Sequence, residues 1–153
     1  MTSKYTLLLS QISALIEGEN DAMAVLSNVS AALHDAFPER FFWVGFYRVK
    51  SKELLLGPFQ GPVACFRIAY GNGVCGTAWQ RGETVIVPDV ELFPGHIACS
   101  SLSRSEIVVP IKGRDGSVKG VIDIDSRNPD AFDKTDQQYL EQIATLLSRQ
   151  LGL

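Results

Sequence analysis

Six residues in this chain have side chains and spacings suited to chemistry: Cys65, Cys75, Cys99, Glu106, Asp123 and Asp125. The cysteines stand 10 and 24 positions apart, without the paired C-x-x-C spacing of a structural zinc site. His96 precedes Cys99 by three residues, but a single His/Cys pair is a poor metal site, and no metal is expected there. His34, beside Leu33 on an apolar helical stripe, reads as a packing or surface residue. Cys99 follows PGHIA and precedes the small polar run SSLSRS, a setting that leaves a thiol accessible, so it is the expected nucleophile. Cys65 opens a strand-like run and Cys75 sits in NGVCG, where flanking glycines permit movement. Either could close a disulfide with Cys99 if the Cα atoms come within ~5.5–6 Å. Three passive, buried cysteines are the competing reading.

The acids gather by strand alternation. In VIDID, Asp123 and Asp125 share one face while Ile122 and Ile124 take the other, and Ile107, Val109 and Ile111 oppose Glu106 in the preceding run. A hairpin over Gly113 to Gly116 joins the two. Arg114-Asp115 as a two-residue loop sets Glu106 opposite Asp123, and Asp115-Gly116 sets it opposite Asp125. A one-step slip would turn one apolar set outward, which a core forbids. Three carboxyls therefore meet on one patch. That patch is either a solvated outer face or, because facing like charges repel, a site for a cationic ligand or a retained proton.

The elements that must position these residues follow from periodicity. Tyr5, Leu8, Leu9, Ile12, Leu15 and Ile16 keep helical spacing up to Gly18; a second helix is expected behind Asn20 as its cap and ends near Pro38. Tyr139, Leu140, Ile143, Leu146 and Leu147 form a third stripe, capped by Asp133 or Thr135. Between Phe41 and Ser126 six short β-branched or aromatic runs (FFWVGFYRV, ELLLGPF, ACFRIAY, TVIVPD, EIVVPIK, SVKGVIDID) read as strands. Gly73 to Trp79 is expected as a short helix between strands, and Val90 to Ser105 as a long loop. Short connections favour antiparallel pairing, giving an α+β domain with a central, mainly antiparallel sheet of about six strands and the N- and C-terminal helices packed on one face.

The chain has 153 residues, 46% of them hydrophobic, enough for one domain over 1–153 with a core that needs no staples. Its formal charge of -3 offers no positive field for nucleic acid. The apolar stretch Thr6 to Ile16 is too short and too interrupted to span a membrane and lacks a cleavage site, and the odd cysteine count fits a reducing cytoplasm.

The strings WVGFY, LGPFQGPVAC, RIAYGNGVCGTAW, PDVELFPGHIAC, SEIVVPI and GVIDIDS closely resemble the stand-alone GAF-domain enzymes that reduce free methionine-(R)-sulfoxide, from Trp43 to the final helix. Ser100 departs from the pattern, because that family usually has an aspartate directly after the GHIAC cysteine. The resemblance implies a GAF-like fold, Cys99 as catalytic cysteine, Cys65 as the resolving cysteine and Cys75 as its substitute. It also implies Glu106, Asp123 and Asp125 as acidic substrate-binding residues, and Trp43 and Tyr47 as aromatic pocket walls, where the bare strand pattern would also accept ordinary core. Preference for the R epimer, a homodimer and thioredoxin as reductant follow from the same resemblance. Thiols can supply both electrons through sulfenic acid and disulfide, so no cofactor is expected. Two other functions compete: a non-catalytic GAF ligand sensor and a general thiol peroxidase.

Overall fold

Among the described residues, helical stripes and β-branched runs resolve into four α-helices and six strands: α1 (Thr2–Ile16), α2 (Ala22–Ala36), β1 (Trp43–Lys50), β2 (Glu53–Gln60), β3 (Arg67–Ala69), α3 (Gly73–Arg81), β4 (Val85–Val87), a 3-10 turn (Val90–Leu92), β5 (Ser105–Lys112), β6 (Val118–Ser126) and α4 (Lys134–Gln150). This computed structural model describes residues 1–96 and 101–153. The cap of α2 is Asp21 rather than Asn20. Its carboxylate accepts from the Ala24 N–H at 2.9 Å, while Glu19 accepts from the N–H groups of Asn20 and Asp21. Asp133 caps α4 in a reciprocal box with Asp136.

The strands pair antiparallel in the order β3-β2-β1-β6-β5-β4. Val44, Phe46, Ile107, Val109, Ile111, Ile122 and Ile124 carry one face of this sheet into the main core beneath α1, α2 and α4, as the alternation requires. Asp136 fastens that layer: it accepts from Tyr5 Oη at 2.5 Å and from Arg40 Nη2 at 2.8 Å. Burial acts to raise the Asp136 pKa, but the Arg40 and Tyr5 hydrogen bonds outweigh it and hold the carboxyl below its usual range.

The opposite face is also covered. Leu54, Ile68, Val74, Ala78, Val85, Val108 and Val121 form a second apolar cluster beneath α3, so the two terminal regions supply helices to one face and the inserted helix closes the other. Both edge strands are shorter than their apolar runs. β3 keeps only Arg67–Ala69 of ACFRIAY, and β4 stops before Pro88, which has no N–H for the ladder.

The β5–β6 hairpin sets the geometry of the acids. Neither two-residue loop forms. The Gly113 N–H donates to Ser117 O, enclosing a three-residue loop in which Gly116 takes φ 82°, a left-handed position that glycine fills without strain. Such a loop alone would leave the strands one step out of phase. An irregularity between Ile111 and Lys112 removes that step, and beyond it Glu106 faces Asp125 while Val108 faces Asp123. The bulge thus keeps both apolar sets inward and all three carboxyls on the other face.

Candidate active site

β1 and β6 lie side by side with Trp43 opposite Asp125 and Gly45 opposite Asp123. Glu106, Asp123, Asp125, Trp43 and Tyr47 accordingly project from one face into a single pocket. Glu106 and Asp123 are 7% and 6% exposed, which excludes the solvated-face reading of the acid patch. Asp125 is half-buried at the pocket wall.

The aromatic walls are fixed by their polar tips. Trp43 Nε1 donates to Pro62 O at 2.9 Å, and Tyr47 Oη donates to Cys65 O at 2.8 Å. Their ring centroids lie 6.2 Å apart, and Trp43 also stacks on Phe59 at 5.1 Å. Gly45, between them in sequence, is required by space: a Cβ there would collide with Phe59 Cβ and lie 2.9 Å from Trp43 Cη2.

Cys75 lies on the first turn of α3, buried, and borders the acids as a free thiol. Its glycine neighbour serves close packing rather than movement, because a Cβ on Gly76 would approach Ala69 O to 2.6 Å. Cys65 is half-buried on the segment before β3 and is disulfide-bonded. Cys99 and Ser100 lie outside the described residues.

Burial and mutual charge dominate the electrostatics. Burial raises Glu106 well above the ordinary carboxyl range, and Asp123 and Asp125 add to the effect. Asp125 is raised by burial and then by Asp123. Asp123 is also raised by burial, although hydrogen-bonding neighbours Glu106 and Cys75 partly offset this. Those neighbours leave its Oδ1 buried with no hydrogen-bond partner among the described residues. Burial and the surrounding acids push the Cys75 thiol well up, while burial lowers His96 against the pull of Asp123. No Lys or Arg lines the pocket among the described residues. The site can therefore hold a proton on a carboxyl and offers an unpartnered oxygen to a cation or ammonium.

The sequence did not disclose the whole lining. His96, by spacing only a weak metal ligand beside Cys99, also lines the pocket; Asn72, Gly73 and Val74 border it at the N-terminus of α3. The lone signal for the α3 residues was the glycine-rich NGVCG string.

A curled antiparallel sheet with helices behind it and a capped pocket in front is the architecture of a GAF domain, and the GAF domain family model matches residues 19–151. The chain is 58% identical over 145 residues to GAF domain-containing protein A of Dictyostelium discoideum, covering 94% of this chain and 90% of that protein. It is 45% identical over 148 residues to the free methionine-R-sulfoxide reductase of Saccharomyces cerevisiae, covering 93% of this chain and 82% of the other. The structure of the free methionine-R-sulfoxide reductase of Neisseria meningitidis in complex with its substrate superposes with a TM-score of 0.94 at 51% identity, over 98% of this chain and 89% of that one. The chain belongs to the GAF-domain family of free methionine-R-sulfoxide reductases.

Proposed function

We propose that this protein reduces free L-methionine-(R)-sulfoxide to methionine with its own thiols. The observation that carries the reading is the buried acid pocket beside a cysteine-bearing segment: Glu106, Asp123 and Asp125 near Trp43 and Tyr47, with Cys75 at its border and the Cys65 carbonyl held by the Tyr47 hydroxyl. Family membership supports the substrate class.

In this reading the Cys99 thiolate attacks the sulfoxide sulfur while Glu106, a carboxyl whose pKa burial raises well above its ordinary range, donates a proton to the sulfoxide oxygen. The protonated oxygen transfers to the Cys99 sulfur as the S–O bond breaks, the electron pair of the transient bond between the two sulfurs stays with the methionine sulfur, and methionine departs, leaving Cys99 as a sulfenic acid. A second thiol then attacks that sulfur, closing a disulfide and releasing water, so two thiols are oxidised for each sulfoxide reduced. Cys65 is the resolver. Its disulfide-bonded state, with Cys75 a buried free thiol, favours it over Cys75, which serves as the substitute.

Asp123 and Asp125 bind the substrate ammonium, and the unpartnered Asp123 Oδ1 supports that role. A methionine within a polypeptide lacks this ammonium, which accounts for selection of the free amino acid. Trp43 and Tyr47 enclose the methyl and thioether groups. The substrate carboxylate is met by backbone N–H groups at the α3 N-terminus, where Gly73 and Val74 border the pocket.

Residues 1–153 act as one domain in a cytoplasmic homodimer that thioredoxin recycles. No helix among the described residues is long and apolar enough to cross a membrane. Incubation with dithiothreitol and each sulfoxide substrate tests the activity: free R-sulfoxide should yield methionine, whereas the S epimer and an internal methionine sulfoxide in a peptide should not. Equal rates on free and peptide-bound sulfoxide would contradict the ammonium reading. A ligand sensor would form no methionine, and a peroxidase would prefer hydrogen peroxide.

A further inference from the structure

Cys75, Glu106 and Asp123 converge from α3, β5 and β6, and their Sγ and carboxylate oxygens all lie within 4.8 Å of one another. All three side chains are buried. Zinc binds thiolate sulfur at about 2.3 Å and carboxylate oxygen at about 2.0–2.2 Å, so ligands on opposite sides of the ion stand at most about 4.5 Å apart. The cluster therefore needs little closure to grip such an ion.

Proximity of acids would not by itself define a cation site. The second observation is Asp123 Oδ1: the residue is only 6% exposed, and this oxygen has no hydrogen-bond partner among the described residues while its side chain lines the pocket. A buried acceptor left without a donor gains from any cation placed against it. One sulfur and two oxygens on separate elements suit a borderline-soft divalent ion such as Zn²⁺ better than Mg²⁺ or Ca²⁺, which seek oxygen alone.

We propose that Cys75, Glu106 and Asp123 form an inhibitory site for a thiophilic divalent cation of the Zn²⁺ class, with the fourth position open to the pocket. The ion occupies the space around Asp123 Oδ1 and withdraws Cys75 from thiol chemistry. That it excludes the substrate ammonium rests on the proposed function; that it binds at all does not.

Cobalt(II) tests binding without turnover, because a thiolate ligand gives it a charge-transfer band in the near ultraviolet. The reduced protein, freed of reductant under anaerobic conditions, is titrated with Co²⁺ alone. A stoichiometric band is expected in the wild type and in the Cys65→Ser/Cys99→Ser double variant, which keeps the whole cluster. Cys75→Ala should abolish it, and Asp123→Asn should weaken Co²⁺ binding at least about tenfold. Absence of the band from the reduced wild type would overturn the site. So would its survival in Cys75→Ala, or its loss from the double variant with an unchanged circular dichroism spectrum. Addition of Zn²⁺ to the activity assay is a separate arm: binding without inhibition would reject substrate exclusion and leave the metal site standing.

Discussion

The Tyr47 hydroxyl donates to the main-chain carbonyl of Cys65 at 2.8 Å, so one side chain of β1 both walls the pocket and anchors the segment that carries the disulfide-bonded Cys65. Tyr47→Phe removes the donor and keeps the ring. Loss of this hydrogen bond should cost about 1 kcal/mol, and the melting temperature should fall by roughly 2–4 °C. Disulfide closure should slow while the first release of methionine does not. Quenched-flow measurement of methionine and free thiols separates these steps, and parallel slowing of both would contradict a role confined to Cys65.

Glu106 has a burial-raised pKa and neighbours that disfavour its charged form. If it is the proton donor, Glu106→Gln should lower kcat by about 10²–10⁴ with a smaller change in KM. The wild-type rate should fall as pH rises through the raised pKa of this group, because the acid is then lost. Steady-state profiles for both proteins check this, and an unaltered kcat in the variant removes Glu106 from the acid role.

The same pocket lowers stability at alkaline pH. Asp125 is raised well above its ordinary pKa, so the folded protein retains a proton that the unfolded chain has released. Its contribution is full below the unfolded value near ~3.9; it is lost as pH rises through the folded value. Asp125→Asn should therefore stabilise the protein by about 0.5–2 kcal/mol at pH ~8, with the gain vanishing toward pH ~4. Urea melts at the two pH values measure the difference, and a gain independent of pH would refute this origin.

Asp136 behaves in the opposite sense. Its pKa is held low by Arg40 and Tyr5 against the effect of burial, so its contribution is present above the unfolded carboxyl pKa and lost as pH falls through the folded one. Arg40→Ala leaves this fully buried carboxylate without its cation and should cost about 3 kcal/mol. Thermal melts should show the loss at neutral pH, shrinking in acid. Turnover per folded molecule at low temperature should stay near wild type, because the pair lies across the sheet from the pocket.

Side-chain alternation made much of this site legible in the sequence. Asp123, Asp125 and Glu106 had to share a face because Ile122, Ile124, Ile107 and Val109 had to share the other, and Trp43 and Tyr47 follow the same two-residue period. The choice between Asp123 and Asp125 opposite Glu106 was not legible. It depends on a three-residue turn and a compensating bulge, and a change of one residue in loop length carries almost no compositional mark. Burial of the acids was hidden for a related reason: the cover comes from α3 and the segment before β3, distant in sequence and short in apolar content. Spacing alone leaves the roles of the cysteines open, and the roles proposed for them rest on the family resemblance.

The central claim is that Cys99 reduces the sulfoxide sulfur directly, and a single turnover without added reductant tests it most directly. Reduced wild-type protein mixed with excess free methionine-(R)-sulfoxide should release one methionine per chain, lose two thiols and yield a Cys65–Cys99 disulfide on peptide mapping. Cys99→Ser should release no methionine. Equal methionine release by Cys99→Ser, with its fold intact by circular dichroism, would contradict the account.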